Sequence, residues 1–97
     1  MRRDEALGLL NEASAEIRGR FGVKLLRLFG STARDEARED SDVDILVEFD
    51  GPATFDGYFD LLRFLEARMG CAVDLVTEKA LKDRMRPFVE KDAIHVP

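Results

Sequence analysis

Histidine and cysteine are nearly absent from this 97-residue chain, and their scarcity removes several chemistries at once. The one cysteine, Cys71, has no partner for an internal disulfide, and with His95 as the one histidine no thiolate zinc site can be assembled. A Ser-His-Asp or Cys-His mechanism would have to use His95, close to the C-terminus. Long apolar runs are missing too. The start, Met1-Arg2-Arg3-Asp4-Glu5-Ala6-Leu7, resembles neither a signal peptide nor a membrane span, so the expected location is cytoplasmic. There is no cationic excess: 15 Lys+Arg stand against 20 Asp+Glu, a net charge of -5. Binding to nucleic acid rests on neutralising phosphates, so no direct nucleic-acid partner is expected. Repeats, low-complexity tracts and Pro/Gly/Ser linkers are also missing, and residues 1–97 read as one domain with one modest core.

What is present is a regular alternation of periodicities. Ala6, Leu9, Leu10, Ala13 and Ile17 follow helical spacing, and Gly19 and Gly22 suit the end of that helix. Residues 23–29 are a strand-length apolar run stopped by Gly30. The polar stretch 31–41 has room for a short helix starting at Ser31 or Thr32. Residues 43–49 form a strand rich in β-branched side chains, followed by the turn signal Asp50-Gly51-Pro52. Phe55, Phe59, Leu62, Leu65 and Met69 recur at helical spacing and predict a core-facing stripe, with Gly70 as its stop. Residues 71–76 read as a third strand and residues 80–91 as one helix or two, weakened in the middle by Pro87. Residues 93–96 read as a fourth, edge strand. The fold class is therefore α/β (α+β), helices packed on a small sheet. The first two strands are too close in sequence for a long crossover, so the sheet is expected to be mixed.

Asp42 and Asp44 carry the most chemical information. Two apart at the start of an apolar strand, they share a face about 7 Å apart. Paired carboxylates repel, and a hard divalent cation such as Mg²⁺ relieves the repulsion by binding an oxygen from each. Asp74 interrupts the apolar strand around it. If that strand pairs beside 43–49, Asp74 joins the same cluster, and three carboxylates from two strands suit a two-metal phosphoryl-transfer site. Upstream, Gly30-Ser31 ends a strand and opens a turn. Glycine admits a phosphate close to the backbone, and the Ser31 hydroxyl and Arg34 can add contacts.

Gly30-Ser31, ten residues, then Asp42-Val43-Asp44 resembles the signature of the DNA-polymerase-β-like nucleotidyltransferases. The fuller runs 28–34 and 41–47, with Val73-Asp74-Leu75-Val76 downstream, look like the minimal nucleotidyltransferases, specifically the antitoxins of HEPN–MNT toxin–antitoxin systems. The resemblance covers nearly the whole chain. It departs at Asp35, where many family members have glycine, and this puts extra negative charge beside the phosphate turn. The resemblance implies two Mg²⁺ ions at Asp42, Asp44 and Asp74, with ATP as nucleotide donor at Gly30, Ser31 and Arg34. It also implies transfer of AMP, with loss of pyrophosphate, to a tyrosine of a HEPN-domain toxin. Homo- or hetero-oligomers are compatible with it.

Two other functions compete. One is a nucleotidyltransferase acting on a small hydroxylated molecule such as an antibiotic, which generally needs an added domain or a dimer to hold its acceptor. The other is a binding-only antitoxin, which has no need of three acids in apolar strands. Blander readings apply elsewhere. Cys71 reads as a small buried hydrophobe, His95 as structural, and Lys79, Lys82, Arg84, Arg86 and Lys91 as a solvated basic face or a docking surface for an acidic partner.

Overall fold

The computed structural model describes residues 1–81 and 83–97; Lys82 of the basic C-terminal group lies outside the described residues. Helix α1 (Arg3–Phe21) buries Ala6, Leu10, Ala13 and Ile17 and ends at Gly22, whose φ of 64° is the left-handed value that glycine adopts without a Cβ penalty. Strand β1 (Val23–Phe29) follows, then a four-residue helix α2 (Gly30–Ala33), which starts one residue earlier than Ser31. Strand β2 (Val43–Phe49) and helix α3 (Phe55–Met69) have the expected bounds. Strand β3 (Val73–Thr77) is two residues later at its start than the reading from Cys71. The left-handed Gly70 at the end of α3 turns the chain, and Cys71 and Ala72 complete that turn.

A 3-10 turn (Glu78–Ala80) precedes helix α4 (Arg86–Asp92), and strand β4 (Ile94–His95) closes the order. Pro87 does not break a longer helix. It sits in the first turn of α4, where its missing N–H is an orphan anyway.

The sheet runs β3-β2-β1-β4. β1 is antiparallel to β2 and to β4, and β2 is parallel to β3 across the α3 crossover, so the sheet is mixed as expected. One face is apolar: Val43, Ile45 and Val47 of β2 are fully buried and join α1 and α3 in the core. At roughly 25 cal/mol per Å² of apolar surface, each such side chain contributes about 1.5–3 kcal/mol to folding.

The helical stripe of α3 is corrected at its start. Leu65 and Met69 are buried, but Phe55 is 77% exposed and Leu61 takes the core position instead. The first turn of α3 extends past the apolar face, and the Phe55 ring lies tilted against that of half-buried Phe59, with centroids 4.7 Å apart. That turn is held by Thr54, whose hydroxyl accepts the Gly57 N–H at 3.0 Å. Thr54→Ala leaves this N–H without its acceptor, and urea denaturation is expected to show a loss of about 1 kcal/mol. Cys71 is half-buried against the core, and His95 is exposed on β4.

Candidate active site

Register decides where the acids go. Phe29 of β1 pairs with Asp44, and Asp44 pairs with Asp74 of β3, so the three form one row across adjacent strands. Direct cross-strand neighbours point to the same face. Val43 and Ile45, on either side of Asp44, face the core, so this row lies on the opposite face. Asp42 is two residues before Asp44, and its charge acts on Asp44. The start of β3 is levelled with β2 by two bonds. Val43 N–H donates to the Ala72 carbonyl at 3.0 Å, and the Glu66 carboxylate of α3 accepts the Val73 N–H at 3.1 Å.

Asp44 is half-buried, whereas Asp42 and Asp74 are exposed. Asp74 needs no charged partner inside its apolar strand, because β3 is an edge strand and Asp74 is exposed to solvent. Burial first, then the neighbouring Asp74 and the charge of Asp42, push the Asp44 carboxyl up to about 6. Arg34 opposes this with a smaller effect.

Gly30 closes the site on the β1 side. Its φ is 74°, and a Cβ built there would lie 2.1 Å from Asp44 Oδ2. The turn backbone and the Asp44 carboxylate thus meet with no room for a side chain. Behind the turn, Arg34 N–H donates to the Gly30 carbonyl at 3.2 Å. The Arg34 guanidinium, expected to face a phosphate, instead bonds Asp92 of α4 at 2.8 Å and Glu36 at 3.1 Å. Those two carboxylates raise its pKa.

Among the described residues, no three His, Cys, Asp or Glu side chains are drawn up as a ready-made metal cluster. Asp42 and Asp74 are exposed, and the Asp74 side chain lies close enough to Asp44 to raise its pKa. The donor set still fits Mg²⁺. It consists of hard carboxylate oxygens on adjacent strands, and the half-buried Asp44 is held back from ionising by burial first and by its acidic neighbours second.

Two neighbours of the site were not legible in the sequence. Asp92 lies 58 residues from Arg34, and nothing local announces the pair. Tyr58, the one tyrosine, donates its O–H to the Leu75 carbonyl beside Asp74; burial and the Asp74 charge push its pKa up. Its place next to the stripe on α3 was the available signal.

A mixed sheet bearing a glycine-serine turn against acids on two adjacent strands is the build of an enzyme that transfers nucleotidyl groups. The chain belongs to the family of the nucleotidyltransferase domain, whose profile matches residues 10–96. It is similar to protein adenylyltransferase MntA of Thermococcus cleftensis, 40% identical over 93 residues, or 96% of this chain and 94% of the relative. Among solved structures it is similar to a candidate minimal nucleotidyltransferase, 40% identical with a TM-score of 0.81, covering 97% of this chain and 95% of the other. It shares its fold with one chain of the solved complex of tri-AMPylated Shewanella oneidensis HEPN toxin and MNT antitoxin. There the TM-score is 0.68 at 18% identity, with 94% of this chain and 71% of the other covered. Among the described residues, no helix is long and apolar enough to cross a membrane.

Proposed function

We propose that this nucleotidyltransferase is an antitoxin enzyme that transfers AMP from ATP to a tyrosine hydroxyl of a HEPN-domain toxin, acting as one domain over residues 1–97. The observation that carries the proposal is the row in which Gly30 abuts Asp44 and Asp44 neighbours Asp74, on the face of the sheet opposite the α1 and α3 core. The likeness to a protein adenylyltransferase over nearly the whole chain supports AMP as the group and a protein as the acceptor. Openness supports a protein acceptor as well. Asp42 and Asp74 are exposed, and Asp74 stands on the edge strand β3, where a macromolecule can bring its own hydroxyl and its own walls.

In this reading Asp42, Asp44 and Asp74 hold two Mg²⁺ ions. Bound there, Mg²⁺ supplies neutralising charge for the triphosphate and lowers the cost of ionising the acceptor hydroxyl. The Gly30-Ser31 turn holds the triphosphate, and Arg34 reaches it by exchanging Asp92 for phosphate. The acceptor oxygen forms a bond to the α-phosphorus, and the bond from that phosphorus to the bridging oxygen breaks. Pyrophosphate leaves, and exposed Asp74 takes the hydroxyl proton.

Incubation with α-labelled ATP, Mg²⁺ and a HEPN-domain toxin is expected to place label on a tyrosine of that protein. Chelation with EDTA is expected to abolish the labelling. Label on a small hydroxylated compound, with none on protein, would shift the reading to a small-molecule enzyme. Cells still protected by the Asp42→Asn, Asp44→Asn double variant would shift it to a binding-only antitoxin.

A further inference from the structure

Among the described residues, Asp35 is the one non-glycine residue with a left-handed backbone, at φ 60°. Short polar side chains are the ones that tolerate that region. Asp35 closes the turn that begins at Gly30. Its N–H donates to the Thr32 carbonyl at 3.1 Å, and the Glu36 N–H donates to the Ser31 carbonyl at 2.8 Å. Its side chain reaches elsewhere: Oδ1 accepts the N–H of Arg3 at 2.9 Å, 32 residues away. Arg3 is the first residue of α1, and Arg2 before it provides no side-chain cap. An orphan N–H of α1 is therefore capped by the residue at which the turn ends. Helix α1 is in turn anchored in the core through Ala6, Leu10, Ala13 and Ile17.

We propose that Asp35 is a positioning residue, which clamps the exit of the Gly30-Ser31 turn to the N-terminus of α1 and so holds the turn in its triphosphate-binding shape. The proposal rests on the reading of that turn as the phosphate site. The charge at position 35 is directed at α1 and not at the phosphate. The Arg3 N–H, with the Arg3 and Arg2 charges, holds the Asp35 carboxyl below the usual carboxylate range, so it stays ionised at neutral pH.

Three substitutions separate backbone conformation from clamp. Asp35→Gly keeps the left-handed conformation and loses the acceptor, Asp35→Asn keeps both, and Asp35→Ala loses both. Kinetics with labelled ATP varied and the HEPN-domain protein fixed are expected to show Asp35→Asn within about twofold of the parent. Asp35→Gly is expected to raise KM for ATP about fivefold or more with kcat changed less than about twofold, and Asp35→Ala to lose at least as much. An unchanged KM in Asp35→Gly would overturn the proposal. So would KM and kcat worsening only in step with Tm, which would reduce Asp35 to a cap on α1. If the parent itself transfers nothing from ATP, the functional reading fails instead, and hydrogen exchange at residues 31–36 still decides the clamp. Exchange there is expected to quicken in Asp35→Gly and not in Asp35→Asn; equal exchange in both would refute it.

Discussion

Asp44→Asn is expected to abolish AMP transfer, by at least about a thousandfold, and at the same time to raise the melting temperature at pH 7. Both effects come from one carboxyl. It is half-buried, it adjoins Asp74, and its pKa stands at about 6 instead of the ordinary 3.8. A raised carboxyl pKa means the folded state binds the proton more tightly than the unfolded state. The resulting stabilisation is fully present below pH 3.8 and is lost as pH rises through about 6. At pH 7 the folded protein carries the charge at a cost that asparagine does not incur. The Tm gap between variant and parent should therefore be widest at pH 7 and above, and should close toward pH 4. Mg²⁺ should raise the Tm of the parent at neutral pH and leave the variant unchanged, because the ion relieves the repulsion that the substitution has already removed. Thermal denaturation from pH 4 to 8, with and without MgCl₂, checks all three. A variant that transfers AMP normally, or one less stable than the parent at pH 7, would refute the assigned role.

The parts of this site that were legible in the sequence are those that local periodicity can report. Asp44 alternates with Val43 and Ile45, so its exclusion from the core face follows from the pleat. Gly30 ends β1, and glycine at a strand end signals a backbone that other residues resist. The adjacency of Asp44 and Asp74 is different in kind. It depends on β3 docking parallel to β2 after a 15-residue helix, in a register that no local pattern specifies. The tether from Arg34 to Asp92 is non-local in the same way. Phe55 shows the limit from the other side. Helical spacing assigns it a direction around α3, but not how far the apolar face extends along the helix axis, and the first turn lies beyond it. Asp35 stood out as extra negative charge, whereas its left-handed backbone and its bond to Arg3 appear only once α1 and the turn are packed together.

Gly30→Ala is expected to remove nearly all transfer activity, by at least about a hundredfold, through displacement of Asp44. Two penalties act at this position and can be separated. The left-handed φ of 74° costs a residue with a Cβ about 1–2 kcal/mol. The new Cβ would also lie 2.1 Å from Asp44 Oδ2 and 2.9 Å from its Cγ, so the carboxylate must leave its place. Gly22→Ala is the control for the first penalty alone, since φ there is 64° and nothing lies within 4 Å of the built Cβ. It should lose about the same 1–2 kcal/mol and keep full activity. Removing the carboxylate isolates the second penalty. In an Asp44→Ala background, the nearest atom to alanine at position 30 is the Asp44 Cβ at 3.2 Å, which can yield by a few tenths of an ångström. The stability cost of Gly30→Ala should then fall to that of Gly22→Ala, so that in a double-mutant cycle the double variant loses less than the sum of the two single variants. Additive costs, or a fully active Gly30→Ala, would mean that the turn does not hold the Asp44 carboxylate in place.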